Sequence, residues 1–80
     1  MEFTDTQQDI LVRAWLLSRE GKGQVVEDWA EPDAERLSDA GWLERRTVDA
    51  NGDTAWFWTH EAEMALDVNA LNESVEGREN

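Results

Sequence analysis

"GWLERRTVDANGDTAWFWT", residues 41–59, decides how this chain is read. Two runs of strand-forming residues, "WLERRTV" and "TAWFWT", flank the spacer "DANGD". Asn51-Gly52 is suited to positive φ at successive turn positions, so a β-hairpin is predicted, with the five-residue spacer leaving the turn type open. Successive side chains of a strand point to opposite faces. Trp56 and Trp58 therefore share one face and Phe57 takes the other. The tryptophan pair is expected to pack on the helices before and after the hairpin. Phe57 is then left on the outer face of the wing. There it is either partly covered by Trp42 or the stems of Arg45 and Arg46, or it offers an aromatic contact to another chain, since such anchors dominate protein interfaces.

Upstream, the apolar period becomes helical. In "TDTQQDILVRAWLLSREGKG", Thr4 and Gln7 have the spacing of a capping box, and Asp5 suits the positive end of a helix. Ile10, Leu11, Ala14, Trp15 and Leu17 recur at helical spacing, with Val12 and Leu16 widening the face, and Gly21 supplies the stop. "QVVEDWAE" (24–31) is read as a short second helix with Val25, Val26 and Trp29 inward. Pro32 closes it and opens a third, "PDAERLSDA", at its first position. Ala34, Leu37 and Ala40 form a thin apolar stripe, and Gly41 ends that helix with Trp42 against Leu37. Downstream, "THEAEMALDVNALNESV" reads as one helix capped by Thr59. Its residues Met64, Val68, Leu71 and Val75 form a single seam. Residues 1–75 are expected to make one domain, and 76–80 a frayed tail.

The chain has 80 residues, no Cys and five Trp. A domain of this size without disulfides or thiolate metal sites depends on apolar burial, and each buried aromatic hides roughly 150–250 Å². Nineteen Asp and Glu against seven Lys and Arg give a formal charge of −12. Such an excess repels phosphate backbones and anionic membranes. It is either a solvated surface, of the kind suited to high salt, or a surface for a basic partner, including one that imitates DNA. The first apolar run starts at Ile10 behind acidic residues, and no window approaches the roughly 20 apolar residues of a membrane span. A cytoplasmic protein with no membrane partner is expected.

The stretches "LSDAGWLERR", "NGD" and "WFWTHEAEMAL" resemble MarR-type and ArsR-type winged helix-turn-helix regulators over roughly residues 33–71. In those families a recognition helix ends in Gly plus two apolar residues. A charged strand, a turn, a second strand and a closing helix follow. The resemblance implies an α+β, winged-helix-like fold with three N-terminal helices, a two-stranded hairpin wing and a C-terminal helix. It also implies that Arg36 and Ser38 of the recognition helix, with Arg45 and Arg46 of the wing, would face nucleic acid. The seam Met64, Val68, Leu71 and Val75 would either close the monomer core or form a homodimer contact.

Two features depart from that pattern. Gly21 and Gly41 stand only twenty positions apart, which is tight for two helices and a turn. The would-be reading region also carries Glu27, Asp28, Glu31, Asp33, Glu35 and Asp39 against Arg36 alone, the sign that phosphate repels. These six acids and Phe57 are therefore the candidate contacts for a basic protein partner. A non-enzymatic regulatory module that binds another protein, with DNA mimicry as one form of that binding, is the expected function. A DNA-binding regulator from a high-salt cytoplasm is the alternative.

Catalytic chemistry is poorly provided. His60 is the sole histidine, "HEAE" is not H-E-x-x-H, and no serine lies in a nucleophile elbow. "GKG" lacks the spacing of a phosphate loop, and "DANGD" is too short for a calcium loop. No cofactor or metal is expected.

Overall fold

The computed structural model describes residues 3–78. Helix α1 (Asp5–Ser18) leads through an extended segment and a single 3₁₀ turn (Asp28–Ala30) into α2 (Glu31–Asp39). Strands β1 (Leu43–Thr47) and β2 (Thr54–Trp58) follow, then α3 (His60–Ala65) and α4 (Val68–Arg78). The chain is thus α+β, built on helices and one antiparallel hairpin.

Local signals account for most boundaries. Thr4 Oγ1 accepts from the Gln7 amide, and the Gln7 side chain accepts from the Thr4 amide, the reciprocal pairing of a capping box. At the other end of α1, Gly21 adopts φ +74° and the Lys22 amide donates back to the Leu17 carbonyl at 2.9 Å. The same closure ends α2: Gly41 takes φ +94° and the Trp42 amide donates to the Leu37 carbonyl at 2.9 Å. Pro32 lies in the first turn of α2, where its missing N–H costs nothing.

The hairpin pairs Leu43 with Trp58, Glu44 with Phe57, Arg45 with Trp56, Arg46 with Ala55 and Thr47 with Thr54. Between the strands, Asp49 Oδ1 accepts from the amides of Asn51 and Asp53. Those bonds, the Asp53 amide foremost, hold the exposed Asp49 carboxyl below its usual value. Its contribution to the turn is accordingly present at neutral pH and is lost as acid protonates the carboxylate. Only Gly52 carries positive φ (+86°), with its amide donating to the Asp49 carbonyl. Asn51 does not share that conformation, because the longer loop needs one left-handed residue where a two-residue turn needs two.

The core gathers Ile10, Leu11 and Ala14 of α1, Ala34 and Leu37 of α2, Leu43, Trp56 and Trp58 of the hairpin, and Ala62 of α3. Both tryptophans are buried, as the strand alternation predicts. The Trp58 indole N–H donates to Glu63 Oε2 at 2.8 Å, which satisfies its one polar atom.

Two expectations are corrected. The segment read as a second helix is extended up to the 3₁₀ turn, so the order of three N-terminal helices does not hold. Gln24 exchanges both backbone hydrogen bonds with Trp56, each at 2.8 Å, and lies on the free edge of β2 as a one-residue third strand. An unpaired strand edge supplies donors and acceptors that a marginal eight-residue helix cannot outbid, and β-branched Val25 and Val26 favour the extended form. Burial then alternates: Gln24 is buried, Val25 is 79% exposed and Val26 packs on the core. Trp29, expected inward, is 71% exposed.

The second correction concerns the terminal helix, which is two helices. Leu66 leaves helical geometry (φ −98°, ψ 140°) and packs on the core. Asp67 Oδ1 then accepts from the Ala70 amide and so caps α4. The seam is broken accordingly: Met64 is 75% exposed on α3, while Val68 and Leu71 of α4 pack on the core. Val75 lies outside the residues whose side chains are described, and residues 79 and 80 of the expected tail lie outside the described chain.

Thr59 joins the two halves. Its hydroxyl accepts from the Ala62 amide at 3.1 Å, capping α3, and donates to the Gly41 carbonyl at 2.7 Å, at the end of α2. Thr59→Val keeps the shape and removes both bonds. A loss of about 1–2 kcal/mol is expected in denaturant unfolding, with the m-value unchanged.

Candidate interaction surface

Helix α2 buries Ala34 and Leu37, so helical spacing turns Glu35, Arg36 and Asp39 outward, and all three are exposed. The six acids offered as candidate contacts are differently placed. Glu31 and Glu35 turn toward β1, where Arg45 donates to Glu31 and lies 3.8 Å from Glu35. Asp33 faces α1 and accepts from Gln7 Nε2 at 3.4 Å. Glu27, Asp28 and Asp39 remain exposed. An i, i+4 pair of carboxylates therefore shares one arginine across the helix–sheet seam.

The wing arginines are engaged inside the protein. The Arg45 guanidinium sits 4.3 Å from the centroid of Trp56, which it shields from water while bonded to Glu31. Arg46 lies on the opposite face of β1. It pairs with Glu44 at 3.2 Å and covers the ring of Phe57 at 4.4 Å. Exposed pairs of this kind are each worth under about 1 kcal/mol, so they orient the arginines more than they stabilise the fold. Ser38 is half-buried and shares a shallow depression with Glu35, Asp39, Arg45 and Trp56.

Phe57 is on the outer face, as its strand parity requires, and is half-buried. One of its covers is Arg46, through the guanidinium rather than the stem. The other was not foreseen: a Cβ on Gly23 would fall 2.6 Å from the Phe57 ring and 2.8 Å from the Ala55 Cβ. The ring thus leans across the backbone of the edge segment, in the space a side chain at residue 23 would fill.

In segment 24–30 sequence reasoning offered Glu27 and Asp28 as contacts but turned Val25 and Trp29 inward. The structure places Val25 and Trp29 in solvent, in the same segment as exposed Glu27 and Asp28. The β-branched pair Val25-Val26 was the available signal, and the helical reading of the same residues masked it. Behind this segment is a pocket whose other wall is the first half of α1, with Asp9, Ile10 and Arg13. Among the described residues, Gln24 is the buried polar residue of the fold, and its Oε1 has no hydrogen-bond partner.

Among the described residues no group of three or more His, Cys, Asp or Glu stands close enough to hold a metal ion. No described helix is long and apolar enough to cross a membrane. Neither a family model, nor a curated protein, nor a solved structure matches this chain.

Proposed function

We propose that this chain is a non-enzymatic, winged-helix-like interaction module that binds a basic protein partner, in regulation, through the surface of residues 25–39. The order helix, edge strand, helix, hairpin supports the winged-helix-like description. The helix that would precede the reading helix is reduced to one 3₁₀ turn. The observation that carries the binding mode is the fate of the wing arginines. Arg45 is paired with Glu31 over Trp56, and Arg46 with Glu44 over Phe57, so each guanidinium, though exposed, already faces a carboxylate that a phosphate would have to displace.

What the surface does present is an exposed tryptophan among carboxylates. Tryptophan anchors of this kind supply much of the energy of protein contacts, and acidic neighbours select a positively charged partner and speed its approach. Mimicry of nucleic acid is one form of such binding. The rival reading, a DNA-binding regulator, keeps Arg36 as the exposed cation on the outer face of α2.

Fluorescence anisotropy separates the two. A labelled arginine-rich peptide is expected to bind and to weaken as salt rises, while a random duplex at low salt is not bound. Trp29→Ala should weaken the peptide complex with no change in melting. Duplex binding that weakens with salt and disappears in Arg45→Ala/Arg46→Ala would sink the proposal in favour of its rival.

A further inference from the structure

The third strand leaves a free edge. Gln24 turns both backbone groups to Trp56, so strand alternation turns those of Gly23 and Val25 the other way. Extended geometry persists to Glu27 (φ −65°, ψ 153°). Among the described residues, the amides of Gly23, Val25 and Glu27 donate to no other group. Open space borders the segment on both flanks. Val25 lines the pocket facing Thr6, Asp9 and Arg13 of α1, and also a depression on the outer face of the hairpin, with Lys22, Arg46, Val48 and Phe57. Natural sheet edges are commonly blunted by proline or by charge. Residues 23–26 carry neither, and Val25 is 79% exposed.

We infer that this edge pairs with the same edge of a second copy, antiparallel about a two-fold axis, so that two sheets become one. A two-fold contact must be self-complementary, and residues 22–28 are. With Val25 set against Val25 of the second copy, their backbone groups exchange two hydrogen bonds. Gly23 then pairs with Glu27 in both directions, and Lys22 falls opposite Asp28 at each end. Glu27 thereby meets a residue with no side chain to oppose it. The depression beside Val25 holds Lys22 and Arg46 and no carboxylate, so on that flank two chains of charge −12 repel least. A foreign strand could form the same backbone bonds, but the mirrored charges single out a second copy. The inference concerns backbone pairing and does not depend on the proposed basic partner.

Sedimentation equilibrium of the full chain, in salt sufficient to screen the net charge, should show a molar mass that rises with concentration from one chain toward two. Backbone hydrogen exchange followed by NMR should slow with concentration at Gly23, Val25 and Glu27. Gln24, whose amide is already bonded within the chain, should not change. Val25→Lys sets like charges face to face across the axis. It should raise the dissociation constant of the dimer at least about tenfold and leave the melting temperature of dilute protein unchanged. Lys22→Glu opposes two carboxylates at each end and should weaken the dimer roughly fivefold. Adding Asp28→Lys should restore it, because each pair is re-formed with its signs reversed.

A chain that stays monomeric at every concentration would overturn the pairing. So would a dimer that keeps its affinity in Val25→Lys, or one that slows exchange in α4 and not at residues 23–27. Failure of Asp28→Lys to rescue Lys22→Glu would remove the register on which the self-complementarity rests, and the inference with it. A monomer in which an added extended peptide slows the same amides would show that the edge serves a foreign strand, and would overturn the second copy as its occupant.

Discussion

Trp56→Ala is expected to leave the chain largely unfolded at room temperature. Trp56 is 5% exposed and is the middle residue of the middle strand. It belongs to the core cluster that holds Ile10, Leu11, Ala14 and Leu37, and the Arg45 guanidinium lies over its ring. Truncating a buried tryptophan costs about 3–5 kcal/mol through lost transfer energy and the cavity left behind. A domain of this length sits toward the lower end of the ~5–15 kcal/mol range of native stabilities, so the loss is a large share of the whole. Urea unfolding followed by far-UV circular dichroism would test it. A midpoint near that of the parent protein would mean that the strand–helix core is not what holds the fold. Phe57→Ala is the internal comparison: the neighbouring ring, half-buried on the other face, should cost clearly less.

Gly23→Val is expected to be nearly as damaging, for the opposite reason. Nothing is removed; a side chain is forced where Phe57 and Ala55 already stand, at separations no pair of carbon atoms tolerates. The edge segment must then shift away from β2, straining the paired bonds between Gln24 and Trp56. Overpacking of this kind costs about 1–3 kcal/mol, and the loss of edge pairing adds to it. For a domain of this size each kcal/mol lowers the melting temperature by roughly 4–8 °C. Adding Phe57→Ala should give back part of the loss, because the ring is the nearest obstacle. Ala55 keeps the rescue incomplete. Strict additivity of the two substitutions would show that glycine serves something other than this close approach.

These two variants mark what was legible in the chain and what was not. The tryptophan pair could be placed from parity alone, because a strand has a period of two and aromatic residues at 56 and 58 must share a face. The Gly23–Phe57 contact could not, since it joins residues 34 positions apart (57 − 23). No local pattern distinguishes a glycine that accommodates a ring from one that merely ends a helix. The candidate surface divides in the same way. Exposure of Glu35, Arg36 and Asp39 follows from the helical spacing of Ala34 and Leu37. The capture of Arg45 by Glu31, and of Arg46 by Phe57 and Glu44, depends on how α2 lies against the hairpin.

What the sequence determined by itself are the features whose energetics close within a few residues. They are the Thr4–Gln7 and Thr59 caps, the glycine stops at 21 and 41, the hairpin around Gly52 and the opposite faces of Trp56 and Phe57. The tertiary structure decided the rest. The free edge of β2 drew residues 24–26 out of the helical state, because two strand hydrogen bonds outweigh a weak local preference. Leu66 broke the terminal helix to reach the core, and Asp67 could then cap the new start. Of the acids on α2, Glu31 and Glu35 meet Arg45, Asp33 meets Gln7 and Asp39 stays in solvent, because a helix sets residues four apart on one side and turns those between them away.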